Sequence, residues 1–117
     1  MNDYIQGGIY LFELPYEKNS SIQSGFRPGI IISNDKSNKY CSLLTIVPLT
    51  TAKKKELPTH CSVLIQYPSV ALCEQILLVE KTKCKKFLRM CSKREFENIQ
   101  RSLLIHLGIQ KNLVFQN

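Results

Sequence analysis

Residues 24–51 read SGFRPGIIISNDKSNKYCSLLTIVPLTT. Two short apolar runs rich in β-branched residues, Pro28 to Ser33 and Leu43 to Leu49, are expected to be strands. The Asn, Asp and Ser residues between them, Asn34 to Lys39, are expected to form a turn. Gly25 can supply a tight turn, and Pro28 biases the residue before it, Arg27, toward extended backbone. Arg27 is thereby aimed from a strand mouth, while the second run ends in the hydroxyls of Thr50 and Thr51. A guanidinium presents planar donors that match phosphate oxygens two at a time, and a threonine hydroxyl adds one adaptable donor and acceptor. That pairing points to a phosphate-bearing ligand, nucleic acid first.

Outward from this stretch the same pattern continues. Strands are expected at Ile9 to Leu14, Cys61 to Gln66 and Leu72 to Val79, bounded by turn residues at short intervals. This is the layout of a small barrel rather than of βαβ units. PYEKNSSIQSG, residues 15–25, and TTAKKKELPT, residues 50–59, are the polar connections. After residue 91 the period changes. Ser92 is a helix cap with Glu95 three residues on, and Phe96, Ile99, Leu103, Leu104 and Leu107 recur at helical spacing up to Gly108, so a single terminal helix should pack on the barrel. The expected fold is mainly β with a C-terminal helix, in one domain spanning residues 1–117. Gln110 to Asn117 is a tail that frays or adds a final strand.

Bulk properties narrow the partners. Among 117 residues, 16 Lys and Arg face 9 Asp and Glu, a net charge of +7 that favours encounters with polyanions. No apolar run approaches the roughly 18 residues of a spanning helix, and MNDYIQGG carries no signal-like region, so a cytoplasmic location and no membrane partner are expected. The five cysteines form no CxxC pair and read as buried, reduced thiols, with no zinc site.

Four segments in order, GGIYLFEL, QSGFRPGIIISNDKSNKY, TIVPLTTAKKKELPTH and EQI, give the chain a resemblance to the MazF/PemK toxin family of type II toxin–antitoxin systems. The resemblance implies a Src-homology-3-like barrel of the MazF/PemK/CcdB type, a homodimer, a cognate antitoxin, and sequence-specific cleavage of single-stranded RNA (mRNA) without a metal or other cofactor. By resemblance Arg27 matches the family's catalytic arginine and Thr50 its catalytic threonine. The family pattern also has an acidic residue where Ile22 stands, an aspartate near Gly8 and an arginine where Leu77 stands, differences that could alter activity or specificity.

The chemistry can be argued separately. RNA brings its own nucleophile, the 2′-hydroxyl, so a site that sets this oxygen in line with phosphorus and stabilises the phosphorane needs neither metal nor covalent intermediate. Arg27 suits the stabilising role. Thr50 suits holding a non-bridging oxygen or the 2′-hydroxyl. A guanidinium is a poor general base at neutral pH, and the base stays unidentified. His60 is the tempting candidate but has an alternative role capping or packing at a strand start, and His106 reads as structural. Further substrate contacts are expected from Gln23, Phe26, Thr51 and Gln75, with Phe26 either stacking on a base or plugging the barrel mouth and Gln75 bonding a base edge from mid-strand beside Glu74. Lys53, Lys54 and Lys55 either meet flanking phosphates or form a solvated loop. Lys81, Lys83, Lys85, Lys86 and Arg89 read as a solvated face. Two other classes remain open: a non-catalytic inhibitor of DNA gyrase on the same fold, and a plain RNA-binding module.

Overall fold

The computed structural model describes residues 4–15, 25–51 and 57–110. Within them the order is β1 (Gly8–Leu14), β2 (Gly25–Ile31), α1 (Asp35–Tyr40), β3 (Leu43–Thr50), β4 (His60–Leu64), β5 (Pro68–Leu72), β6 (Leu77–Glu80), a single 3-10 turn (Lys81–Lys83), β7 (Cys84–Met90) and α2 (Lys93–Leu107). The seven strands make one sheet in the order β4-β5-β3-β2-β1-β7, with β6 also on β3, and every pairing is antiparallel. The sheet curls into a half-barrel and α2 closes one side, as expected of a mainly β fold with a terminal helix.

Alternation along the strands sorts the core into two layers. One face carries Ile9, Ile30, Val47, Leu49, Cys61, Val63, Ala71 and Cys73, packed with Ile99 of α2. The other carries Tyr10, Phe12, Leu14, Ile31, Leu44, Ile46 and Val79. The helix is capped as read: the Ser92 hydroxyl accepts from the Glu95 backbone N–H at 3.0 Å, and Glu95 accepts from the Ser92 N–H at 2.8 Å.

Four expectations are corrected. The Asn34 to Lys39 turn is a short helix, α1, whose N-cap Asn34 accepts from the Ser37 N–H; its Asn38 is buried and bonded to Ser33. A strand stands at Cys84–Met90 where a lysine-rich solvated face was read. Two register shifts against β1 scramble its alternation. The strand expected from Leu72 to Val79 holds only the last residue of β5 and the first three of β6, which lie end to end along one edge of β3. Ala71 pairs with Leu49 and Leu77 with Ile46, so five residues on one side span two on the other. The surplus forms a turn carrying Glu74 and Gln75, which are therefore not mid-strand. Finally, all five cysteines are free thiols, but only Cys61 and Cys73 are buried, while Cys84 and Cys91 are half-buried and Cys41 is exposed.

Among the described residues no helix is long and apolar enough to cross a membrane.

Candidate functional site

Arg27 sits on β2 and Thr50 ends β3. The two strands pair with Ile31 opposite Ile46, Ile30 opposite Val47 and Gly29 opposite Pro48. Gly29 and Pro48 are the last pair between the two strands, and Arg27 and Thr50 each lie two residues further on at that same end. Gly25 opens β2 at φ +80°, a left-handed backbone that favours glycine. Arg27 is half-buried and both residues are held by interactions with their surroundings. Thr50 is only 3% exposed, so packing fixes the direction of its hydroxyl. Thr51, next along the chain, is exposed.

The pleat sends Phe26 to the face opposite Arg27. It pairs with Glu13 and is 64% exposed, so it does not plug the barrel mouth. Gln75 is half-buried in the turn between β5 and β6, its backbone N–H donating to Leu72 O at 2.9 Å. Gln23, Lys53, Lys54, Lys55 and Ile22 lie outside the described residues.

The Gln75 turn is clasped by a group that sequence reading did not assemble. Glu74 Oε1 accepts from the Thr59 hydroxyl at 3.0 Å, Glu74 Oε2 lies 2.9 Å from His60 Nε2, and the Cys73 N–H donates to Thr59 O at 3.0 Å. Burial works against the Glu74 charge, but bonds from His60, from its own backbone and from Thr59 hold its carboxyl below the usual carboxylate range. The His60 side chain is 8% exposed. It packs and pairs at the start of β4, one of the two roles weighed for it, and anchors the turn that presents Gln75. His106 is exposed on α2.

Of the presumed solvated face, Lys83, Lys85 and Lys86 are exposed. Arg89 is not: it donates to Leu64 O through Nε at 2.8 Å and also through Nη2, to Met90 O at 2.7 Å, and in bidentate fashion to Glu95 at 2.9 and 2.8 Å. It joins the end of β4 and β7 to the first turn of α2.

Two of the three family differences have structural readings. At Gly8 an added Cβ would stand 2.6 Å from Tyr10 Cε1 and 3.0 Å from Ile5 O, so this chain has no room there for an aspartate without moving Tyr10. Leu77 pairs with Ile46 and packs on the Tyr10–Phe12 layer, where a leucine extends the apolar cluster.

These features define a class: a small, mostly antiparallel half-barrel with a C-terminal helix, carrying Arg27 on one strand and Thr50 at the end of its neighbour. The chain belongs to the family of PemK-like, MazF-like toxins of type II toxin–antitoxin systems, whose pattern matches residues 5–107. A relative from Staphylococcus saprophyticus, named endoribonuclease MazF, is 31% identical over 110 residues, covering 89% of this chain and 91% of its own. The fold is also that of a mycobacterial endoribonuclease solved with its cognate antitoxin, at TM-score 0.77 and 21% identity over 91% of this chain and 96% of that one. The MazE–MazF structure (form III) from Deinococcus radiodurans superposes at TM-score 0.78 and 15% identity, covering 93% of this chain and 100% of that one.

Proposed function

We propose that this single toxin domain is a sequence-specific endoribonuclease that cleaves single-stranded RNA without a metal, works as a cytoplasmic homodimer, and is held in check by a cognate antitoxin. The observation that carries the reading is that Arg27 on β2 and Thr50 at the end of β3 both lie two residues beyond the last pair between those strands, Gly29 and Pro48. Family membership and the endoribonuclease name of the 31% identical relative support it.

In this mechanism Arg27 binds the non-bridging oxygens of the scissile phosphate and stabilises the charge of the phosphorane. Thr50, its hydroxyl direction fixed by burial, holds a phosphate oxygen or the attacking 2′-hydroxyl in line. The 2′-oxygen bonds to phosphorus, the bond to the 5′-oxygen breaks, and the products are a 2′,3′-cyclic phosphate and a 5′-hydroxyl. Gln75, on its clasped turn, bonds a base edge; Thr51, Gln23 and the Lys53–Lys55 segment add contacts to the strand. Phe26 offers a stacking surface on the opposite face of β2 from Arg27.

Primer extension on a long RNA incubated with purified protein in excess chelator tests this. Discrete stops at a recurring short sequence, with 5′-hydroxyl ends, are expected. Cleavage that needs added magnesium overturns the metal-free mechanism. Toxicity without RNA cleavage transfers the assignment to gyrase inhibition, and tight binding without cleavage to an RNA-binding module.

A further inference from the structure

Buried cysteines in apolar surroundings are ordinarily inert, because burial disfavours the thiolate that reacts. Cys84 and Cys91 follow that rule, each pushed up to about 11 with burial as the main cause. Cys61 does not share their surroundings. It lies on β4, and its Sγ is 3.0 Å from Ser102 Oγ and 3.4 Å from Asn98 O, both on α2. It also lines a cleft of about 350 Å³ between β4 and α2, with Pro58, His60, Asn98, Arg101 and Ser102 around it.

The second thiol is Cys73. β4 and β5 pair with Cys61 opposite Ala71, so Cys73 is the diagonal neighbour two residues further on, facing the same way, and both belong to the same core layer. With Cys73 as donor toward Cys61, helped by Ser102, His60 and Arg101 and opposed by burial, the Cys61 thiol is brought down to about 6. Cys73 moves in the opposite direction: its role as donor to Cys61 and its own burial hold its proton on. Ser102 Oγ also lies 3.0 Å from Pro58 O, so its hydroxyl proton can turn from that carbonyl to a Cys61 thiolate.

We propose that Cys61 and Cys73 form an oxidisable dithiol, a modification site at which hydrogen peroxide entering the cleft converts the pair to an intrachain disulfide. The Cys61 thiolate attacks one peroxide oxygen and the O–O bond breaks. The departing hydroxide takes up the proton Cys61 had released, leaving water and a sulfenic acid on Cys61. The Cys73 sulfur then attacks Cys61, the S–O bond breaks, the S–S bond forms, and the hydroxyl leaves with the Cys73 proton as a second water. Two thiols lose two electrons in all, and one peroxide gains them.

The bond has a mechanical consequence. Diagonal cross-strand neighbours sit about 7–8 Å apart at Cα, whereas a disulfide favours about 5.5–6 Å. Closing the bond therefore pulls on Cys73, which begins the turn after β5 and is tied through its N–H to Thr59 O, and strains the clasp that holds Glu74 and Gln75 in place. Oxidation therefore displaces the side chain assigned above to a base edge, and this functional arm rests on that assignment.

The test treats the full-length protein with hydrogen peroxide, alkylates the remaining thiols, and maps the cysteines by peptide mass spectrometry, with RNA cleavage followed in parallel. A Cys61–Cys73 linked peptide, reversed by dithiothreitol, is expected while Cys84 and Cys91 stay reduced. In Cys73→Ser, which keeps a hydroxyl donor beside Cys61 but cannot form the disulfide, dimedone should trap a sulfenic acid on Cys61. Failure of the wild-type protein to form the link overturns the proposal without requiring any variant to fold well. Cleavage by the oxidised protein should fall about tenfold, recover on reduction, and stay constant under peroxide in Cys61→Ser. Unchanged cleavage by the linked protein overturns the displacement of Gln75. A reduced protein that never cleaves RNA sinks the ribonuclease reading instead and leaves the dithiol chemistry standing.

Discussion

At the scale of single residues, the proposed mechanism makes Arg27 and Thr50 two halves of one phosphate clamp. Arg27→Ala and Thr50→Ala should each lower single-turnover cleavage about a hundredfold or more with the fold intact, the loss typical of removing one oxyanion stabiliser. The double variant should be little worse than the weaker single, because groups acting on one transition state are non-additive, and Thr51→Ala should cost much less. Near-normal cleavage by Arg27→Ala would remove the clamp from the mechanism. Gly8 makes a separate claim. Its missing Cβ leaves the room that the Tyr10 ring occupies, 2.6 Å from where the Cβ would be, so Gly8→Ala should destabilise by about 1–3 kcal/mol through overpacking. An unchanged midpoint in a denaturant titration would show that Tyr10 yields freely. The strand positions of Arg27 and Thr50 were legible in sequence because turn chemistry and strand ends are local signals. The clasp of Thr59, His60 and Glu74 was not. It depends on which residues of β4 and β5 face one another, and a five-for-two mismatch along β3 leaves no periodic trace.

At the scale of elements, α2 was readable from its cap, its apolar spacing and Gly108, whereas α1 was too short and polar to show a period. What sequence could not show is how α2 is tied down. Glu95 serves twice, closing the capping box with Ser92 and receiving both guanidinium nitrogens of Arg89. The bond from Arg89 is the main cause that brings its carboxyl down to about 2, with burial opposing and the Ser92 backbone assisting. A folded-state value below the unfolded one means stability that is fully present above the ordinary glutamate range and drains away as pH falls from about 4.5 toward 2. Acid titration of the wild-type protein should therefore lose stability in that window, and Glu95→Gln should lose much of the dependence while being less stable at neutral pH. Equal slopes for the two proteins would show that the pair contributes nothing to folding. Ser92→Ala should cost about 1 kcal/mol at the same helix end, read by thermal unfolding.

For the whole molecule the governing quantity is the charge of +7, and the question is which lysines convert long-range attraction into contact. Lys83, Lys85 and Lys86 lie on β7 or just before it, at the far end of the strand order from β4, and are exposed. In the proposed reading they raise encounter rates, while the scissile phosphate is held at Arg27 on β2, with β1 between the two strands. Lys53, Lys54 and Lys55 follow Thr50 and Thr51 closely in the chain, and in the proposed reading they contact the phosphates that flank the scissile one. Each phosphate neutralised on a single strand releases condensed counterions and contributes about 0.7 to the slope of log K against log salt. Replacing all three with Ala should thus weaken binding of an uncleavable RNA about equally for every sequence and flatten that slope by about 2. The same change made at Lys83, Lys85 and Lys86 should slow association at low salt while leaving the slope nearly intact. If the two triple variants exchanged these behaviours, the RNA would run across β7 instead of past the end of β3, and the strand's path over the sheet would have to be redrawn.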